Sequence, residues 1–166
     1  MSIYQQTVPQ LTKMLTNLDA WLGEAVEYAD SRGFEPDTLL QARLSPDMFP
    51  LVRQIQSAAD TAKFTGSRLT GVDAPKNEDN ETTLAELRAR IAATIGFLET
   101  IDEGAFNAGL SKDLKLPMLN GGSVLGLDYL TGFATPNFYF HISQAYAILR
   151  NNGVKLGKRK YLGAFG

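Results

Sequence analysis

The chain has 166 residues, 44% of them hydrophobic and 20% charged, with a net charge of -2 and a pI near 5.4. That composition supports one ordinary core in a single domain over residues 1–166, provides no basic surface for nucleic acid, and contains no run of ~20 apolar residues that would span a membrane. Cysteine is absent and His141 is the only histidine, which removes thiol redox chemistry and any zinc site built from several Cys or His ligands, and fits a cytoplasmic setting.

In chain order, Leu11, Met14, Leu15, Leu18, Trp21, Leu22, Ala25 and Ala29 recur at steps of three and four residues, which predicts a long first helix with one apolar face. Residues 1–10 show neither the basic flank nor the apolar run of a secretory signal. Pro9 either starts or bends the helix, and Gly33 closes it after Arg32. A short turn is expected around Pro36-Asp37. A second helix is predicted to open at Ser45-Pro46-Asp47, a capping hydroxyl followed by a first-turn proline and an acid, and to end at Gly71. Its face of Leu51, Ile55, Ala58, Ala59, Ala62, Gly66 and Leu69 is small enough for a neighbouring helix to approach closely.

Residues 72–81 lack apolar periodicity and read as a solvated loop. Thr83 with Glu86 has the spacing of a capping box, and Leu84, Leu87, Ile91, Ile95 and Leu98 form the stripe of a third helix. From Leu110, alternation through Leu114, Leu116 and Met118 followed by Asn120-Gly121-Gly122 predicts a small β-hairpin limited to edge pairing by Pro117. The connection carrying it is long enough to cross from one end of a bundle to the other. A fourth helix is predicted from Asp128 to about Asn152 with a kink at Pro136, and residues 154–166 are expected to form an extended basic tail. These elements make an all-α four-helix bundle with a long crossover and a small hairpin before the last helix.

On the fourth helix Phe138, Ile142, Ala145 and Leu149 centre the apolar face, with Tyr139 on one flank and His141 on the other. At an edge an imidazole can reach a pocket between helices and still meet water; it can equally serve structure alone by bonding to a neighbouring helix. Gln54 occupies the matching flank of the second helix and could face His141, although a glutamine there also reads as a surface residue. The candidate ligand-binding set is Gln54, His141, Asn137, Tyr139 and Asp47. Capping is a sufficient role for Asp47. No catalytic residue is assigned. No cofactor is expected; a divalent metal would have only His141 and carboxylates or water to hold it. Phe140 falls on an otherwise polar side with Asn137, Ser143 and Gln144, so either the hairpin or a second subunit is expected to cover it. Lys158, Arg159 and Lys160 fit a solvated or acid-paired tail better than a phosphate site.

The segments L-L-Q-A-R-L-S-P-D-M-F-P-L (residues 39–51), with Gln54 just beyond, and P-N-F-Y-F-H-I-S-Q-A-Y-A-I-L-R-N-N-G-V-x-L-G-K-R (residues 136–159) resemble an uncharacterised domain-of-unknown-function family of the DinB/YfiT-like superfamily. The resemblance covers residues 4–163. It implies a four-helix bundle, commonly a homodimer, in a superfamily of metalloenzyme type, some of whose members act as thiol transferases or hydrolases. It also implies a metal held by one histidine of the second helix and an H-x-x-x-H pair of the fourth. His141 matches the first of that pair, but Ala145 stands at the second, and Gln54 is the nearest counterpart on the second helix. The metal role therefore transfers poorly, whereas the bundle, the dimer and the place of a small-molecule pocket transfer well. A protein-interaction role through the dimer face is the remaining reading.

Overall fold

The computed structural model describes residues 2–116 and 120–164. The first helix, α1 (Ile3–Arg32), carries Pro9 within its first turns and is capped by Ser2 and Gln5, each side chain bonding the other's backbone. Gly33, at φ 73°, ends it in the left-handed conformation open to glycine. A 3-10 turn over Pro36–Gln41 follows.

The second helix, α2 (Leu51–Thr70), starts later than its sequence suggests. Ser45-Pro46-Asp47 forms a separate turn in which the Ser45 hydroxyl donates to Asp47 at 2.6 Å, and Met48 N–H bonds back to Ser45. The helix instead opens at Pro50, whose fixed φ suits an N-cap position. Two cap signals lie five residues apart, and the one adjoining the buried Leu51 prevails because burial outweighs a local cap.

α3 (Leu84–Glu99) has the expected Thr83 and Glu86 capping box. The crossover contains a short helix absent from the sequence reading, α4 (Glu103–Gly109), capped by Asp102 and buried through Phe106. β1 (Asp113–Lys115) pairs antiparallel with β2 (Ser123–Leu125), Leu114 opposite Val124. Pro117 and Met118 lie outside the described residues.

The last long helix has three parts: α5 (Gly126–Tyr129), a π-helical stretch (Leu130–Ala134) and α6 (Thr135–Asn151). Pro136 has no N–H to give an α-helical carbonyl partner. Just before it the Thr135 N–H reaches five residues back to Leu130, so the expected kink takes the form of a widened turn.

α2 lies against both α3 and α6, and α1 packs on α3 and α6, which closes the four-helix bundle around Leu15, Leu18, Leu22, Ile55, Ala58, Ala62, Leu87, Ile91, Phe138, Ile142 and Ala145. The C-terminal segment is not extended. α7 (Lys158–Leu162) docks on α1, where Trp21 Nε1 donates to the Lys160 carbonyl at 3.2 Å and the Tyr161 ring stacks on Trp21 at 5.6 Å. Lys160 pairs with Glu24, the acid-paired form of this basic segment. Among the described residues no helix is long and apolar enough to cross a membrane.

Candidate functional site

α2 runs antiparallel to the last long helix: Gln54 and Thr61 meet His141 and Asn137 of α6, and Arg68 meets Tyr129 at the end of α5. The small side chains of Ala58, Ala62 and Ala145 keep the two helices close on the core side. On the outer side a cleft of about 230 Å³ opens between them, lined by Ser57, Asp60, Thr61, Phe64, Arg68, Tyr129, Phe133, Asn137 and His141.

Tyr129, Phe133, Asn137 and His141 are four residues apart in sequence. A uniform α-helix would turn by ~40° at each step, about 120° over the three. The wider π-helical stretch, which begins just after Tyr129 and contains Phe133, takes out part of that rotation, which lets all four face one cleft. The faces assigned to the fourth helix from sequence begin at Asn137 and so leave out Tyr129 and Phe133. The available signal was Pro136 itself, since a proline within a long helical pattern marks a local change of helical phase.

His141 and Gln54 are both buried, 8% and 1% exposed. Nδ1 of His141 is 2.8 Å from Oε1 of Gln54, and Nε2 of Gln54 donates to the Phe49 carbonyl at 3.2 Å. A backbone carbonyl can only accept, so the amide nitrogen must face Phe49 and the amide oxygen must face the ring. Nδ1 therefore carries the proton. In the neutral ring Nε2 is then a bare acceptor, and it has no protein partner among the described residues. Burial pushes the His141 pKa below its ordinary value, which keeps the ring neutral at neutral pH.

Asn137 Nδ2 donates to the Thr61 hydroxyl at 2.8 Å, and that hydroxyl donates to the Ser57 carbonyl. Asp60 holds Arg90 at 2.6 Å and Lys63 at 2.8 Å, with Asn77 also donating to it. Arg68 has no ion-pair partner among the described residues. Its guanidinium donates to the Tyr129 hydroxyl at 3.1 Å and lies over the Phe64 and Tyr129 rings at 4.9 and 5.4 Å.

Three of the five candidate residues thus come together: Gln54, His141 and Asn137. Tyr139 lies elsewhere, in a smaller cleft of about 90 Å³ with Gln6, Gln10 and Thr135, where burial is the main cause raising its pKa. Asp47 sits on the exposed turn before α2, its pKa lowered by the Ser45 hydroxyl and by its own backbone. Neither lines the cleft around His141.

The profile of "Domain of unknown function (DUF1993)" matches residues 3–162. The chain belongs to this family. A crystal structure of a DinB family member protein from Shewanella denitrificans is similar to the DUF1993 chain at 45% identity and a TM-score of 0.93, covering 98% of this chain and 93% of that one. The DinB-like bundle expected from residues 39–51 and 136–159 is the fold observed. No curated protein matches the sequence.

The residues present do not fit the three-histidine metal site implied by the DinB resemblance. Ala145 offers no donor and is wholly buried, Gln54 uses both ends of its amide within the protein, and Nδ1 of His141 is already bonded. Among the described residues no three His, Asp or Glu side chains gather closely enough to hold an ion.

Proposed function

We propose that this DUF1993 chain binds a small organic molecule in the cleft between α2 and α6, with His141 as the recognition group. The observation that carries this reading is the Gln54 to His141 hydrogen bond. It orients an otherwise mobile ring, sets its tautomer, and leaves an unprotonated Nε2 at the edge of a cleft. Such convergence of a few oriented polar groups with aromatic walls is the usual make-up of a ligand site. A purely structural histidine would have no need of a cleft with aromatic walls at its free nitrogen. Because His141 is the only histidine, its ring gives one set of imidazole signals in a heteronuclear NMR spectrum. A fragment library should include compounds that shift those signals saturably in the native protein and lose that effect in Asn137→Leu. A library that leaves them unmoved at millimolar concentration counts against the site. Untagged protein is expected to carry far less than one zinc or nickel per chain by elemental analysis; a full equivalent, lost in His141→Ala, would require a ligand set beyond the one described.

We further propose that two copies of the chain associate. Phe140 is 51% exposed and Phe49 52% exposed, so the described part of the hairpin does not provide the cover that Phe140 was expected to find. A second subunit remains as the means of burying these rings.

A further inference from the structure

The cleft has two chemically different ends. At one, Nε2 of His141 is a bare acceptor, so it attracts a hydroxyl or N–H donor. At the other, Arg68 is a half-buried cation with no carboxylate partner among the described residues. Among the described residues its guanidinium uses one hydrogen bond, the one to the Tyr129 hydroxyl, and the Phe64 and Tyr129 rings on which it lies hold its plane in place. A fixed guanidinium with free N–H groups is the arrangement that recognises a carboxylate by two parallel bonds. The one acid in the cleft wall, Asp60, does not compete, because Arg90, Lys63 and Asn77 already occupy it. The cleft therefore presents a net positive charge at one end, an acceptor at the other, and Phe64, Tyr129 and Phe133 between them.

We propose, building on the small-molecule reading above, that the cleft selects a small monocarboxylate that also carries a hydrogen-bond donor, its carboxylate on Arg68, its donor on His141 Nε2, and an aromatic or other flat apolar body between. Its volume of about 230 Å³ lies below the ~300–1,000 Å³ of clefts that take drug-sized molecules, which restricts the ligand to one ring or a chain of comparable size.

Three probes of nearly equal shape test this: 4-hydroxybenzoate, the neutral 4-hydroxybenzyl alcohol and the cationic tyramine, each titrated while the His141 ring signals are followed by NMR. The acid should shift them saturably, at least tenfold more tightly than the alcohol, and more weakly as salt is added. Tyramine should be the weakest. Arg68→Gln should bring the acid down to the level of the alcohol while leaving the free His141 signals in their wild-type position, which shows that the fold is kept. Should the variant fail to fold, the ratio of acid to alcohol on the wild-type chain decides. Equal binding of acid and alcohol, or tighter binding of tyramine, overturns the anion selection and leaves the pocket standing. Failure of all three probes to move the His141 signals at millimolar concentration overturns both the selection and the small-molecule reading on which it rests.

Discussion

A glutamine and a histidine 87 positions apart decide the chemistry of the cleft, because the Phe49 carbonyl fixes the glutamine amide and its oxygen then leaves Nδ1 of the ring only the donor's role. The consequence is directly measurable: the nitrogen shifts of His141 should report the Nδ1-protonated tautomer. Substituting Gln54→Glu would put a carboxylate against Nδ1–H, and the ring pKa should rise relative to wild type, since an opposite charge favours the imidazolium. A lower pKa in that variant, read from the pH dependence of the same signals, would show that the two side chains are not in contact in solution. The wild-type ring also couples to stability. An unfolded imidazole titrates near ~6.5, and burial places the folded one lower, so as the pH falls the unfolded chain binds its proton first. Stability contributed by the neutral ring is therefore present above about pH 6.5 and is lost as the pH drops through the folded value. Urea midpoints taken at pH 7 and pH 5 should fall for wild type and fall less for His141→Gln; equal slopes in the two proteins would refute the linkage.

At the level of elements, the loop of residues 72–82 is held down by charge. The Arg90 guanidinium is nearly inaccessible and bonds Asp60, Asp79 and Glu81 at 2.6 to 2.8 Å, while Gln56 donates to Glu81. Burial pushes Asp79 and Glu81 upward, but the hydrogen bonds from Arg90, from Arg53 to Asp79 and from Gln56 to Glu81 outweigh it, and both pKa values end below the ordinary carboxylate range. Their contribution is present above the unfolded value near ~4 and is lost as the pH falls further, a window separate from that of His141. Arg90→Met should cost about 3 kcal/mol, because half-buried Glu81 would lose its one cation among the described residues and Asp60 and Asp79 would keep only Lys63 and Arg53; a loss below about 1 kcal/mol in chemical denaturation would mean that water and these two cations replace it readily. This loop is a case where the sequence reading was right about the absence of regular structure and silent about the anchoring. Periodicity records apolar faces, and an ion network between the loop, α2 and α3 leaves no period. The same limit hid α7. Lys158, Arg159 and Lys160 read as a solvated or acid-paired tail, and Lys160 does pair with Glu24, yet the segment docks as a helix through Tyr161 and the distant Trp21 and Asn17. Truncation after Gly157 should cost about 2 kcal/mol and move the emission of Trp21, the only tryptophan, to longer wavelength. Unchanged emission would show that α7 does not rest there.

For the whole molecule, the apolar stripes on four helices were sufficient for the bundle, since each stripe must find a partner and four such faces close on one another. The Gln54 to His141 contact was legible for the same reason: both residues flank the stripes that bring α2 and α6 together. What single helices could not convey was the phase change before Pro136, which brings Tyr129 and Phe133 to the cleft, or the fate of residues that no stripe absorbs. Phe140 is the clearest of these. It stands one position from His141, with the two rings edge to face at 5.2 Å, and more than half of it is open to solvent. Leaving a phenyl group in water forgoes roughly 1.5–3 kcal/mol, and a two-fold symmetric contact would recover that on both subunits at once. Light scattering at micromolar concentration should thus report twice the chain mass of 18.1 kDa. Phe140→Ser should shift the protein towards monomer with little change in the unfolding of each chain, because the side chain contributes little to the bundle's own core. A wild-type protein that stays monomeric under these conditions would refute the association, and a Phe140→Ser dimer as tight as wild type would place the interface on another face of the bundle.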